Sequence, residues 1–296
     1  MGLTHMHDTD ALPAPYDVAS PVRQQVGLVF ASPHSGQHYP EDLMAATDLS
    51  KLSLSRSADN FVDELFSDAP DHGAPLLRAA YARAYLDLNR EPWELDPQMF
   101  DEELPDHVNG TSLRVAGGLG TIPRLAADGS RIYRDHLDFA EVRERLNRVY
   151  FPYHHCLARM VEDTQLAFGH CVLIDCHSMP SVGGPHDPDA GRVRADMVLG
   201  DCFSSACSEP VIATIEHALK NRGYQVVRNK PFAGGFTTRH YGRPSQGLHA
   251  VQIEINRGLY MDETAIKPNG GMAKLTQDMK LLLTDLADMD DGIFRL

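Results

Sequence analysis

Cys171-Val172-Leu173-Ile174-Asp175-Cys176-His177-Ser178-Met179-Pro180 is the stretch on which the fold turns. A short apolar run that stops abruptly at polar residues and a proline reads as a buried strand. Period-two alternation puts Cys176 on the face opposite His177, in the core. Outward from it, Val26 to Ser32 is a second such run, closed by Pro33, and His249 to Ile255 is a third, entered through the glycine-rich loop Phe232 to Gly247. Ala58 to Phe66 has helical spacing, which places Asp59 and Asp63 on one helix face a turn apart. Leu76 to Leu88 holds two extended pieces and ends in Asp87-Leu88-Asn89-Arg90. Residues 91–131 are turn-rich, with Gly117-Gly118-Leu119-Gly120. Leu137 to Phe168 is the longest helical stretch, with Pro152 expected to break or kink it. Cys207 to Arg222 (helix), Tyr224 to Val227 (strand) and Thr264 to Asp288 (helix) complete an alternating order. That order predicts an α/β protein with a mixed, largely parallel sheet. Residues 1–25 read as a loose lead-in and 26–296 as one catalytic domain.

The chain has 296 residues, 27 Lys+Arg against 41 Asp+Glu, and a formal charge of −14. Its 43% hydrophobic content supports a large core. The acidic balance argues against nucleic acid or an anionic membrane as partner, since both require clustered Lys/Arg. No run approaches a membrane span, and no secretory leader is visible near the N-terminus. Cys156, Cys171, Cys176, Cys202 and Cys207 are odd in number and crowded, without Cys-x-x-Cys pairs, as buried thiols in a reducing cytoplasm would be.

Three apolar strands end at residues capable of chemistry: His34, His177 and Glu254. Ligands of open α/β sheets gather beyond the carboxyl ends of the strands. Two imidazoles plus a carboxylate suit a catalytic zinc or another divalent metal with one position open to water. The bland alternative makes each histidine a polar loop-start residue, and Gln252, Glu254 and Asn256 the solvated face of an edge strand. There is no Gly-x-Ser-x-Gly elbow and no phosphate loop. His154 and His155, about 100° apart on a helix, read as packing or surface residues. The second signal is arginine clustering in an acidic protein: Arg239 and Arg243 in the Thr237–Arg243 segment, with Arg90 and Arg124 elsewhere. Converging guanidinium forks would bind an anionic substrate; the alternative is surface ion pairing.

The segments Ser32-Pro33-His34-Ser35-Gly36, Asp87-Leu88-Asn89-Arg90, Gly118-Leu119-Gly120-Thr121-Ile122-Pro123-Arg124, Asp175-Cys176-His177-Ser178, Gly234-Gly235-Phe236-Thr237-Thr238-Arg239-His240-Tyr241-Gly242 and Gln252-Ile253-Glu254-Ile255-Asn256-Arg257-Gly258-Leu259-Tyr260-Met261 occur in this order. Together they closely resemble the N-formylglutamate amidohydrolase family, over about residues 26–285. The resemblance implies a three-layer α/β/α fold like that of zinc carboxypeptidases and aspartoacylases. It also implies hydrolysis of N-formyl-L-glutamate to formate and L-glutamate, the last step of one histidine-degradation route. Carried over by position, His34 and His177 would be metal ligands, Glu254 the general base, and Asn89 and Arg90 the holders of a substrate carboxylate. The related enzymes read His-x-x-Glu at the first ligand, whereas position 37 here is Gln. Asp59 is taken as the missing acidic ligand, with Asp63 or Gln37 in reserve.

Arg83 or His240 is expected to steady the oxyanion. Arg124, Arg239, Tyr241 and Arg243 are expected around a small anionic N-acyl amino acid, with Arg243 a candidate brace for its loop. Hydrolysis of another N-acyl amino acid, or silent ligand binding, are the alternative functions. Nothing in the sequence sets the oligomeric state.

Overall fold

All nine residues of Cys171–Met179 and all nine of Leu248–Asn256 are buried. Only strands with neighbours on both edges and helices on both faces are hidden in this way. The computed structural model describes residues 13–184 and 187–294, so the first twelve residues of the expected lead-in lie outside it. Seven strands, β1 (Tyr16–Ala19), β2 (Leu28–Ser32), β3 (Leu76–Ala79), β4 (Cys171–Met179), β5 (Met197–Gly200), β6 (Val226–Arg228) and β7 (Leu248–Asn256), form one sheet in the order β1-β3-β2-β4-β7-β5-β6. β3, β2, β4 and β7 run parallel; β1 and β5 are antiparallel to their neighbours β3 and β7, and β6 follows β5. The helices are α1 (Glu41–Ala46), α2 (Lys51–Ser55), α3 (Val62–Leu65), α4 (Leu113–Ala116), α5 (Phe139–Arg145), α6 (Phe151–Phe168), α7 (Glu209–Asn221), α8 (Phe236–Tyr241) and α9 (Met272–Ala287).

Strand alternation divides the interior into two cores. Val29, Ala31, Leu173 and Ala250 pack with Tyr153, Leu157 and Val161 of α6. Phe30, Val172, Ile174, Val251 and Ile253 pack with α3, α7 and α9 through Leu65, Ile215 and Leu282. Cys176 belongs to this second core. The architecture is therefore three-layered α/β/α around a mixed, largely parallel sheet.

Several local expectations need correction. Within the stretch read as a lead-in, Tyr16–Ala19 is an edge strand; Tyr16 and Val18 face the core while Asp17 pairs with Arg78 of β3. The short strand β5 was not anticipated. Of Leu76 to Leu88 only Leu76–Ala79 is extended, because the N–H groups of Tyr85 and Leu86 turn back onto the Ala82 carbonyl. Pro152 does not end its helix. A π turn at Leu146–Tyr150 precedes it, and such widening absorbs the hydrogen bond that proline cannot make. The Phe232 to Gly247 loop contains the helix α8. Ala58 to Phe66 is not one helix: Phe61 takes a left-handed φ of 67°, and α3 starts only after it. Asp59 and Asp63 therefore do not share a helix face.

In register, His177 lies beside Glu254, Asp175 beside Gln252, and Ala31 beside Asp175. On the α6 face the central strands change from apolar residues to Asp175, His177, Gln252 and Glu254 towards their carboxyl ends. β7 lies between β4 and β5, and Gln252, Glu254 and Asn256 are all buried, so the edge-strand alternative does not hold.

His154 is a packing residue of α6. Its Nε2 lies 2.9 Å from the Leu88 carbonyl and its Nδ1 3.0 Å from the Tyr241 hydroxyl, so it ties the Asp87–Arg90 turn to α6 and α8. Burial pushes its pKa down to about 4. The unfolded chain then binds a proton that the folded chain refuses. The stability His154 contributes is full above about pH 6.5 and is lost as pH falls towards 4. His154→Gln keeps a donor and an acceptor but cannot titrate. Thermal melts at pH 7.5 and pH 5 should show a smaller acid loss in the variant than in the wild type, by about 2 kcal/mol; parallel losses would show that His154 is not the group involved.

Candidate metal centre

His34 follows β2 by two residues, His177 ends β4, and Asp59 enters from the turn ahead of α3, held there by its own N–H donating to the His34 carbonyl at 3.0 Å. Parallel pairing of β2 with β4 sets the two imidazoles side by side, ring centroids 4.7 Å apart. Both present Nδ1 to the same oxygen: Asp59 Oδ2 is 3.3 Å from His34 and 2.9 Å from His177. Each ring also has a second carboxylate near Nε2: Asp87 Oδ1 is hydrogen-bonded to His34 at 2.7 Å, and Asp175 Oδ1 lies 2.9 Å from His177 as an ion-pair contact. These side chains are almost completely buried.

This donor set fits a divalent cation. A carboxylate at Nε2 fixes a metal-ligating imidazole with its Nδ1 lone pair free. Two such lone pairs aimed at one carboxylate oxygen repel one another unless a positive charge lies between them. Adjacent donors around a four-coordinate zinc are separated by roughly 3.3 Å, close to both Nδ1–Oδ2 distances. The electrostatics of the buried groups likewise favour positive charge at this point. Burial alone would raise Asp59 and deprotonate His177. The two histidines nevertheless hold Asp59 well below the carboxylate range, and Asp175 and Asp59 raise His177 well above the imidazole range. Within the described residues, His34, Asp59 and His177 form the one three-residue group whose donor atoms converge in this way. The reserve residues are occupied elsewhere: Gln37 donates to Asn60 Oδ1 at 3.0 Å, and Asp63 is bonded by its own and the Glu64 backbone.

Glu254 is 8% exposed, and its Oε1 accepts from Gln252 at 2.8 Å. Burial raises its pKa to about 7, with nearby Asp59 adding and His177, Arg83 and Arg257 opposing. It is thus near half-protonated at neutral pH, suited to taking and returning a proton.

Arg83 donates through Nε to Asp87 Oδ2 at 2.9 Å and keeps a quarter of its side chain exposed. Asp87 also accepts the Asn89 N–H at 2.8 Å. Burial would raise Asp87, but Arg83, Arg90 and His34 hold it well below the usual range. Arg90 donates to the carbonyls of Leu119 and Asn89, each at 2.8 Å. Burial pushes Arg90 down to about 10, so it stays charged at neutral pH.

The other expected residues are distributed differently. Arg124 is engaged by Asp96 at 2.6 Å. Tyr241 is buried against His154. His240 is exposed and stacked on Phe236, ring centroids 4.8 Å apart, and Arg243 is exposed and lies 3.5 Å from the His240 carbonyl, as a brace would. Arg239 is exposed on α8.

Sequence reasoning missed the anchors of the site. Asp87 lay inside a quoted motif without a role as an imidazole partner. Asn89 is an organiser: its Oδ1 accepts the Thr237 N–H at 2.8 Å, which turns Nδ2 towards Asp175 Oδ2 at 3.3 Å and His177 Nε2 at 3.0 Å. Gly235 makes this approach feasible, since a Cβ there would lie 2.2 Å from Asn89 Nδ2.

A family model for N-formylglutamate amidohydrolase matches residues 26–261. The N-formylglutamate deformylase of Pseudomonas aeruginosa is 32% identical over 92% of this chain and 95% of its own length. That of Pseudomonas putida is 31% identical over 88% of this chain and 90% of its own. The crystal structure of N-formylglutamate amidohydrolase from Ralstonia eutropha superposes with a TM-score of 0.86 at 34% identity, covering 93% of this chain and 98% of that one.

Gly235→Ala forces Asn89 or α8 to move. It should cost about 1–3 kcal/mol, the usual range for overpacking, read as a lower Tm in calorimetry. An unchanged Tm would show that the Asn89–α8 contact is loose.

Proposed function

Because the chain belongs to the N-formylglutamate amidohydrolase family, we propose that it hydrolyses the amide of N-formyl-L-glutamate to formate and L-glutamate, with His34, Asp59 and His177 holding a zinc or similar divalent ion. The observation that carries this reading is the convergence of two Nδ1 atoms and one carboxylate oxygen beside a carboxyl group whose pKa is about 7. When bound, the ion supplies a Lewis acid and lowers the pKa of water.

The protein's own residues do the rest. Glu254 removes a proton from the attacking water and delivers it to the departing amine nitrogen. Arg83, fixed by Asp87 but partly exposed, offers positive charge to the oxyanion. Arg90, oriented by two carbonyls, takes one substrate carboxylate with the help of Asn89. Arg239 is one helical turn, about 6 Å, from Gly235, which lies against Asn89, and it reaches for the second carboxylate. His240, on the exposed side of α8, has the weaker claim on the oxyanion. Arg124, Tyr241 and Arg243 shape the surrounding structure through Asp96, His154 and the His240 carbonyl. We place the enzyme in the cytoplasm, where its five free thiols remain reduced, as the last step of a histidine-degradation route.

Glu254→Gln preserves size and removes the base. Its kcat should fall at least ~10²-fold while zinc content, measured by elemental analysis, is unchanged. A variant that keeps most of its kcat would make Glu254 structural.

Kinetics with N-formyl, N-acetyl and N-carbamoyl amino acids should favour N-formylglutamate. Arg239→Ala should lower kcat/KM for it roughly 10- to 150-fold, with a much smaller effect on N-formyl derivatives of neutral amino acids. Preference for another acyl group would redirect the substrate assignment, and turnover of none would leave a binding protein.

A further inference from the structure

Arg257 follows β7 and was assigned no role by the motif that contains it. The residue is 6% exposed, and its guanidinium makes four contacts, all directed at the Asp59 turn or the end of β4. Nε donates to Ser178 Oγ at 3.1 Å, Nη1 to the Arg56 carbonyl at 2.9 Å, and Nη2 to the Ala58 carbonyl at 2.8 Å and to Asp59 Oδ1 at 3.0 Å. Three residues on, the Tyr260 hydroxyl donates to the Asn60 carbonyl at 3.0 Å. The segment after β7 therefore binds the backbone carbonyls of residues 56, 58 and 60 in turn.

The Asp59 turn needs such support. It is followed by the left-handed Phe61 and by a helix of only four residues, so little regular structure holds the carboxylate in place. The two oxygens of Asp59 also have separate tasks. Oδ1 is taken by Arg257, and Oδ2 is left facing both imidazoles. A planar guanidinium can make these bonds at fixed angles, which a lysine ammonium cannot.

We infer that Arg257 is the positioning residue of the metal centre, building the Asp59 turn and restricting Asp59 to coordination through Oδ2 alone. The inference rests on the metal reading above. It adds that the third ligand is set by the segment directly after the strand that carries Glu254, three residues on from the base.

The test is zinc affinity, measured by competition with a chromophoric chelator, for wild type, Arg257→Lys, Arg257→Gln and Tyr260→Phe. Circular dichroism establishes that each variant is folded at the assay temperature. Arg257→Gln should weaken zinc binding 10- to 100-fold, the usual effect of losing a ligand's supporting partner. Arg257→Lys, which keeps the charge but not the fork and is the variant to use if Arg257→Gln does not fold, should weaken it at least several-fold. Tyr260→Phe, which loses one backbone contact, should weaken it less than either. Folded Arg257 variants with wild-type zinc affinity would overturn the inference, even with a lowered Tm, because that pattern belongs to a purely structural residue. Reduced kcat with unchanged zinc affinity would overturn it too, moving Arg257 to the substrate. Wild-type protein that binds no zinc would overturn the metal reading itself, a result distinguishable from the other two.

Discussion

Two imidazole nitrogens and a carboxylate oxygen, buried and pointed at one another, form an arrangement that only positive charge can stabilise. Much of the surrounding structure answers that constraint. Asp87 and Asp175 fix the outer nitrogens of the rings, and Arg257 occupies the far oxygen of Asp59. Asp87 is in turn balanced by Arg83 and Arg90. Removing one member strands charge in a low-dielectric interior, which is why these residues depend on one another more than pairwise bonds suggest.

The same electrostatics separate the carboxylates by task. Asp59 and Asp87 are buried, but neighbouring histidines and arginines hold both carboxyls well below the usual range. Glu254 is buried with Gln252 as its hydrogen-bond donor, feels Asp59 as a like charge, and is raised to about 7. One of these acids can thus exchange a proton near neutrality while the others stay charged. The arginines that a chain of charge −14 concentrates here are partners of those acids.

Architecture and chemistry meet in the register of three parallel strands. Along β2, β4 and β7 the face towards α6 is apolar and then becomes polar at its carboxyl end, and that change is readable from residue alternation. The buried strands, the three-layer arrangement and the gathering of His34, His177 and Glu254 at the carboxyl ends of neighbouring strands were legible because each is a local pattern repeated three times. That Asp59, not Asp63 or Gln37, lies beside the two imidazoles was legible in identity but not in geometry. A continuous helix was expected, and it is the left-handed Phe61 that ends it.

The anchors were not legible for a physical reason. Asp87 to His34, Asn89 to Thr237 and Arg257 to Asp59 join residues separated by 53, 148 and 198 positions. Nor does any periodicity record that Arg239 would lie on the exposed side of a short helix, with Arg243 exposed just beyond it, while Arg83 pairs with Asp87. The sequence by itself determined which strands are buried and which chemistry their ends carry, because hydrophobic alternation and residue type are local properties. Only the tertiary structure decided which carboxylate faces which nitrogen, because hydrogen-bond partners and buried charges are fixed by distances between segments that the chain order leaves free.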